Sequence, residues 1–194
     1  MVIFLNGLAI FAFELKVDSQ KVGKAISQWK TERDHTTALT TFKSGVLVAF
    51  AMDLNDVYMC TNLCASDPFF MPFNKGKGKD GGGNPEVGEE GFKVQYMWEE
   101  ILKKDSVMEF LYDFVFIEKK RDKKTGRIIA NKDSLIFPRF QQQRAVRNIL
   151  LDVKKNHTQR NYLIQHSAGS GKTNTIAWLS YRLARLHDDK GKIL

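Results

Sequence analysis

Apolar and polar positions alternate from the first residues of the chain. Val2 to Leu5 and Leu8 to Lys16 are apolar-rich runs on either side of Asn6-Gly7, a pair that tolerates positive φ and marks a tight β-hairpin. The period then changes. Val22, Ala25, Ile26 and Trp29 fall at i, i+3, i+4 and i+7, which predicts a helix opened by Asp18 or Ser19 and ending near Arg33. Val46 to Ala51 and Val57 to Thr61, joined through Asp53-Leu54-Asn55-Asp56, predict a second hairpin. Between Asn74 and Gly91 stand seven glycines and one proline with few apolar residues, a composition that predicts a mobile loop.

Val94, Met97, Trp98, Ile101 and Leu102 predict a further helix. Ser106-Val107-Met108-Glu109 has the form of a capping box opening a short one. Phe114 to Ile117 and Arg127 to Ile129 can pair around the basic run Lys119 to Lys124, which reads as a solvated hairpin tip in preference to a nucleic-acid clamp. From Asn131 to Pro138 the strand-rich pattern gives way to a helix with Ala145, Val146, Ile149, Leu150 and Val153 on one face. A junction between two domains is expected there. Tyr162-Leu163-Ile164 predicts a buried strand, and Ile176, Leu179, Leu183 and Leu186 recur at helical spacing beyond it.

Gln165-His166-Ser167-Ala168-Gly169-Ser170-Gly171-Lys172-Thr173 lies between that strand pattern and that helix pattern. The arrangement suits a loop that holds the phosphates of a nucleoside triphosphate. Gly169 and Gly171 allow the main chain to turn tightly with its N–H groups inward, and Lys172 supplies a cation for the β and γ phosphates. Thr173 supplies a hydroxyl for Mg²⁺, and the helix directs its positive end at the anion. His166 replaces the glycine that opens the strict pattern, at a position that shapes the loop. Gln165, Ser167 and Ser170 complete it.

A second candidate is Glu14-Leu15-Lys16. The two-residue strand period puts Glu14 and Lys16 on one face, with Phe11, Phe13 and Leu15 on the other, so the charged pair is partly desolvated. Metal-assisted phosphodiester hydrolysis, with Glu14 ligating Mg²⁺ and Lys16 positioning water or stabilising developing charge, is one reading. An ordinary strand-end ion pair is the other.

The chain has 194 residues, 43% apolar and 27% charged, enough for one or two globular domains. A formal net charge of +8 favours polyanionic partners, although excess lysine is also a common solubility device and charge alone does not choose between them; duplex DNA, bound without sequence preference because no base-reading module is recognisable, is the expected polyanion. Cys60 and Cys64 are too few for a disulfide scaffold or a cysteine-only zinc site, and free thiols suit a reducing cytoplasm. No apolar run approaches membrane-spanning length and no leader pattern opens the chain, so a cytoplasmic protein with no membrane partner is expected. A chain opening in mid-pattern and closing on Gly191-Lys192-Ile193-Leu194, the start of another strand pattern, reads as part of something longer.

Several motifs in order carry a resemblance: Leu5-Asn6-Gly7-Leu8, Phe13-Glu14-Leu15-Lys16, Ala25-Ile26-Ser27-Gln28, Tyr96 to Leu102, Pro138 to Val146, and His166 to Thr173. Together they resemble the N-terminal part of the restriction (R) subunit of type I restriction-modification enzymes. The resemblance implies an α/β chain with a PD-(D/E)xK-like nuclease domain over 1–117, including the loop 74–91, and a connecting hairpin over 118–137. The first βα unit of a truncated RecA-like, superfamily 2 helicase domain then follows over 138–194. It implies Glu14, Lys16 and Gln28 as catalytic residues, Glu14 and Thr173 as metal ligands, and ATP and Mg²⁺ as cofactors. It also implies Gln142 as the reader of the adenine edge. Duplex DNA and the methyltransferase and specificity subunits are the implied partners, and an ATP-dependent DNA-translocating endonuclease the implied parent. Two departures stand out. The family pattern has a tyrosine where this chain has Glu32, and no Asp precedes Glu14. An inactive remnant or DNA-binding and docking module of the same fold, or a superfamily 2 helicase with an unrelated N-terminal domain, are the alternatives.

Overall fold

The computed structural model describes residues 1–17, 19–78, 81–88, 91–157 and 160–187, with only the main chain of Asn131. The strand pattern at 191–194 and the capping candidate Asp18 lie outside the described residues. Strands β1 (Val2–Leu5) and β2 (Leu8–Leu15) form the expected hairpin, with Asn6 at φ 50° and Gly7 at φ 83° in its turn. Helix α1 (Val22–Thr31) returns the chain so that β3 (Val48–Met52) pairs parallel to β2, with Glu14 opposite Ala51. Strands β4 (Val57–Cys60) and β5 (Met71–Pro72) continue antiparallel, giving one sheet in the order β1-β2-β3-β4-β5.

The two faces of this sheet differ in residue size, and that difference decides what covers each. Ala12, Ala49 and Ala51 leave a shallow face into which α1 settles through buried Ala25 and Trp29, the indole Nε1 donating to the Phe50 carbonyl at 2.9 Å. Phe11, Phe13 and Phe50 fill the other face, Phe13 stacked on Phe50 at 5.0 Å between centroids. Against them pack a π-helical turn (Met97–Ile101), helix α2 (Lys104–Glu109), a second π-helical turn (Phe110–Phe114) and helix α3 (Phe140–Asn156). Phe137 stacks on Phe110 at 4.8 Å, and Phe140 meets Tyr96 at 5.1 Å and Phe73 at 6.1 Å. Phe137, at the expected junction near 131–138, thus shares an aromatic cluster with Phe110, and Phe140 just beyond it with Tyr96 and Phe73.

Strands β6 (Phe116–Arg121) and β7 (Ile128–Ile136) form a separate two-stranded antiparallel ribbon, but its register differs from the expected one: Ile117 lies opposite Leu135 and Arg121 opposite Ile128, so Lys119 to Arg121 belong to β6 and the turn is left to 122–127. Helix α4 (Lys172–Leu183) packs beside α3 and on the second π-helical turn, with the Trp178 indole donating to the Phe114 carbonyl at 2.9 Å.

Four local expectations are corrected. Ser19 does not cap α1: the Val22 N–H is met instead by Asp53 Oδ2 at 2.7 Å, from the β3–β4 turn. Ser106 lies inside α2, its buried hydroxyl accepting from Arg147 Nη2 at 2.8 Å, because Lys103 precedes the helix. Tyr162-Leu163-Ile164 is not a strand, and Leu163 is 94% exposed. A strand buried on both faces needs neighbours to satisfy its main chain, and none is paired with it among the described residues. On α4, Ile176 is exposed while Thr175 and Trp178 are buried, and only Leu179, Leu183 and Leu186 of the expected stripe touch the core.

The segment 74–91 carries neither strand nor α-helix among its described residues, yet polar contacts hold it. Buried Asn84 donates to the Asn55 carbonyl at 2.8 Å and to Asn74 Oδ1 at 2.9 Å, and accepts from the Lys75 N–H at 2.8 Å. Gly76 N–H closes the loop on the Gly83 carbonyl at 2.9 Å. Composition argued from missing apolar area, and the anchoring here is by amides.

Candidate nucleotide and metal sites

At the phosphate loop, Gly169 (φ 71°) and Gly171 (φ 81°) occupy the left-handed region, which a side chain would strain. Gly171 is the N-cap residue of α4, and its carbonyl receives the N–H groups of Asn174 at 3.0 Å and Thr175 at 3.3 Å. The same carbonyl accepts from Gln142 Nε2 at 2.8 Å, while Gln142 Oε1 accepts from the Arg139 N–H at 2.8 Å. Gln142 is buried, and both ends of its amide are engaged. It therefore touches the loop itself, and meeting an adenine edge would require exchanging these bonds.

Lys172 Nζ folds back over the loop, donating to the carbonyls of Ser167 at 3.0 Å and His166 at 3.3 Å. An ammonium held by two neutral carbonyls exchanges them readily for a phosphate, whose charge it complements. Two buried polar atoms in this loop have no hydrogen-bond partner, Ser170 Oγ and His166 Nδ1. Burial, and then the Lys172 charge, lower the pKa of His166, so its ring is neutral at neutral pH and leaves the loop's positive potential to Lys172. Thr173 stands exposed in the first turn of α4, where its hydroxyl is open to a metal ion.

In front of the loop lies a cavity of about 1000 Å³, at the upper end of the range for small-molecule sites. His166, Ser167, Ser170 and Gln142 line it, together with Asn74 and Gly76, Gly78 and Gly81 to Gly83. The volume and the orphaned polar atoms of the loop fit a nucleoside triphosphate, while Lys172 and Thr173 follow the lining residues in sequence and do not themselves line the cavity. Mg²⁺ bound through the phosphates needs only one or two protein ligands, which the Thr173 hydroxyl can supply.

At the second candidate site, Glu14 and Lys16 converge as their alternation predicts, Lys16 Nζ lying 3.1 Å from Glu14 Oε1 with both side chains about nine-tenths covered. Arg33, just beyond α1, takes the other oxygen: its Nη2 and Nε lie 2.6 and 3.1 Å from Glu14 Oε2. Burial raises the Glu14 pKa, but the hydrogen bonds and charges of Arg33 and Lys16 outweigh it, and the net direction is below the ordinary glutamate value. Gln28 does not join this cluster. Its Nε2 donates to Glu32 Oε2 at 2.9 Å, and its buried Oε1 has no partner.

These donors do not fit a divalent cation. Both Glu14 oxygens face cations, and no group of three His, Cys, Asp or Glu side chains able to hold a metal occurs among the described residues. Sequence reasoning missed Arg33, which reads as a mere helix end. It also missed the Gln142–Gly171 bond, for which no local signal exists.

No helix among the described residues is long and apolar enough to cross a membrane. No curated protein and no solved structure matches the chain. Residues 135–194, which run from the end of β7 through α3 and the phosphate loop into α4, match the model of the family described as Type III restriction enzyme, res subunit. That similarity relates the C-terminal third of the chain to restriction enzymes with a helicase-like, ATP-using domain.

Proposed function

We propose that the chain is the N-terminal part of an ATP-dependent, DNA-translocating restriction subunit of the type I kind, in which a nuclease-like sheet precedes the first unit of a RecA-like motor. The observation that carries this is the loop 166–173, with two left-handed glycines, Lys172 folded back onto its carbonyls, two buried unpartnered polar atoms, and His166, Ser167 and Ser170 lining a cavity of nucleotide size. The family match over the same residues supports the restriction-enzyme and helicase-like part of this reading, and the type I assignment rests on the sequence motifs. The hairpin bearing Glu14 and Lys16, followed by α1 and a parallel β3, is compatible with a PD-(D/E)xK-like core. In this reading ATP and Mg²⁺ are the cofactors, and Ser167, Gly169, Ser170, Gly171, Lys172 and Thr173 hold the phosphates and metal. Gln142 and His166 shape the loop. Duplex DNA and the methyltransferase and specificity subunits are the partners, in the cytoplasm.

The test is titration of the purified chain with a fluorescent ATP analogue and Mg²⁺. Saturable binding, lost in Lys172→Ala, is the expected result, without steady turnover. An isotherm unchanged by Lys172→Ala would overturn the assignment.

A second reading of the first module is favoured by the pairing of Glu14 with both Lys16 and Arg33. A carboxylate so neutralised suits a structural remnant or docking module of the nuclease fold. Nicking of supercoiled plasmid with Mg²⁺ or Mn²⁺ by the native chain, abolished in Glu14→Ala, would decide for catalysis, and its absence for the remnant.

A further inference from the structure

The β6–β7 ribbon lies outside the main sheet, and every residue of β6 is exposed. A two-stranded ribbon is marginal by itself, so one that stands clear of the core needs both an anchored base and an ordered tip. This ribbon has both. At the base, Leu135 is buried, the Phe116 ring meets the Trp178 indole of α4 at 6.1 Å, and Lys43 pairs with Asp133.

At the tip, Asp122 is folded into the turn. Its Oδ1 accepts from the N–H groups of Lys124 at 3.0 Å and Thr125 at 2.8 Å and from the Thr125 hydroxyl at 3.0 Å, while its own N–H donates to the Arg127 carbonyl at 2.8 Å. Gly126, at φ 69°, returns the chain. The one acidic residue between 119 and 127 is thus committed to holding the turn. Lys119, Lys120, Arg121, Lys123, Lys124 and Arg127 are all exposed, and none forms an ion pair with a carboxylate among the described residues. Elsewhere many surface cations are paired, as Lys24 is with Glu32 and Lys30 with Asp67.

The geometry points to this ribbon as a DNA arm that grips the phosphates of a duplex without reading its sequence. Six unpaired cations on a narrow, ordered projection match the closely spaced charges of a duplex, and a two-stranded ribbon is of a size that the major groove admits. Residues 119–127 contain no aromatic side chain, so the tip lacks the stacking surface by which single strands are held. The choice of DNA as the polyanion rests on the restriction-subunit reading; the existence of the arm rests on the ribbon itself. Because Phe116 leans on α4, the helix leaving the phosphate loop, the arm is rooted beside the nucleotide site.

The test uses the full chain and fluorescence anisotropy with a labelled duplex of about 20 base pairs of arbitrary sequence, its single strand, and anionic vesicles, at roughly 50 and 200 mM salt. Lys120→Gln, Lys123→Gln and Lys124→Gln are combined and compared with an equal charge change at exposed Lys103, Lys104 and Lys155. The arm variant is expected to lose roughly a hundredfold in duplex affinity at low salt and about two to three units of salt slope, and the control less than about threefold. Equal losses in the two variants, tighter binding of the single strand, or preference for vesicles would overturn the arm. Binding of the fluorescent ATP analogue is measured on the same proteins. If it stays intact while duplex affinity ignores the arm, the arm alone is wrong, whereas native protein that binds no nucleotide removes the restriction-subunit reading.

Discussion

Gln142 and Gly171 lie 29 residues apart in sequence, and the side-chain amide of the first donates to the main-chain carbonyl of the second at 2.8 Å. The bond ties the start of α3 to the N-terminus of α4, and through it the loop's shape depends on a residue outside the loop. Gln142→Ala should leave the Arg139 N–H without its side-chain acceptor and the Gly171 carbonyl with only the Asn174 and Thr175 N–H groups, at about 1 to 3 kcal/mol. If Gln142 braces the loop, ATP and GTP analogues weaken together, by about tenfold each. Loss of ATP binding alone, measured by paired titrations, would return Gln142 to the adenine edge.

Gly169 and Gly171 both have positive φ, but their surroundings differ. A Cβ on Gly169 meets nothing within 4 Å, whereas one on Gly171 would stand 2.6 Å from Gln142 Nε2. Gly169→Ala should cost only the strain of a left-handed alanine, about 1 to 2 kcal/mol. Gly171→Ala should cost more, because the amide must also leave its carbonyl. Combining Gly171→Ala with Gln142→Ala should be less harmful than the sum, by on the order of 1 kcal/mol, in denaturant melts of a double-mutant cycle.

The Glu14 carboxyl titrates below its unfolded value. Its contribution to stability is therefore fully present above the unfolded pKa, about 4.3, and is lost as pH falls through the lower folded value. Thermal melts from pH 6 downward, to about pH 3, should show the native chain losing stability in that window more steeply than Glu14→Gln. At neutral pH Glu14→Gln should already be the weaker, since Lys16 and Arg33 keep their charges without a counterion. Parallel pH profiles of the two proteins would remove the ion triad as a determinant of acid stability.

Local chemistry made much of this fold legible. Asn6-Gly7 marked the hairpin because only such residues adopt its positive φ cheaply, and the glycines of the phosphate loop marked theirs for the same reason. Ala25 and Trp29 fell on the buried stripe of α1 because helical period and burial coincide there. The failures share a cause in tertiary partners. The cap of α1 comes from Asp53, 31 residues from Val22, and no window around Ser19 contains it. Tyr162-Leu163-Ile164 has the composition of a buried strand, but a strand exists only with a paired neighbour. Arg33 reached Glu14 because α1 crosses the face of β2, a relation visible only once β2 and β3 pair in parallel.

Asn84 makes three hydrogen bonds from a fully covered position, to Asn55, Asn74 and Lys75, and so holds one end of the glycine-rich segment against the β3–β4 turn. Asn84→Ala strands these partners and should destabilise the chain by about 2 to 4 kcal/mol. Hydrogen exchange should separate the segment into two behaviours. The Lys75 and Gly76 amides, which have acceptors, should be protected, while Gly82, with no acceptor given by its neighbours among the described residues, should exchange at the rate of open chain. Uniformly fast exchange from 74 to 91 would show that the asparagine anchors are not kept in solution.

Trp178 joins the phosphate-loop helix to the rest of the core by two means, its indole N–H on the Phe114 carbonyl at 2.9 Å and its ring against Phe114 at 5.5 Å. Trp178→Phe keeps an aromatic ring but removes the donor and leaves a buried carbonyl without it, so a loss of about 1 to 3 kcal/mol is expected. Trp178→Ala adds a cavity and should cost about 3 to 5 kcal/mol. Because Phe11, Phe110, Phe137 and Trp178 belong to one cluster, both variants should lower a single cooperative transition and not create an early one confined to α4. Melts followed at once by far-ultraviolet circular dichroism and by binding of the ATP analogue would test this. Coincident curves support one packed unit, and loss of nucleotide binding well before loss of helix would show that α4 is docked too weakly for the core to act as a whole.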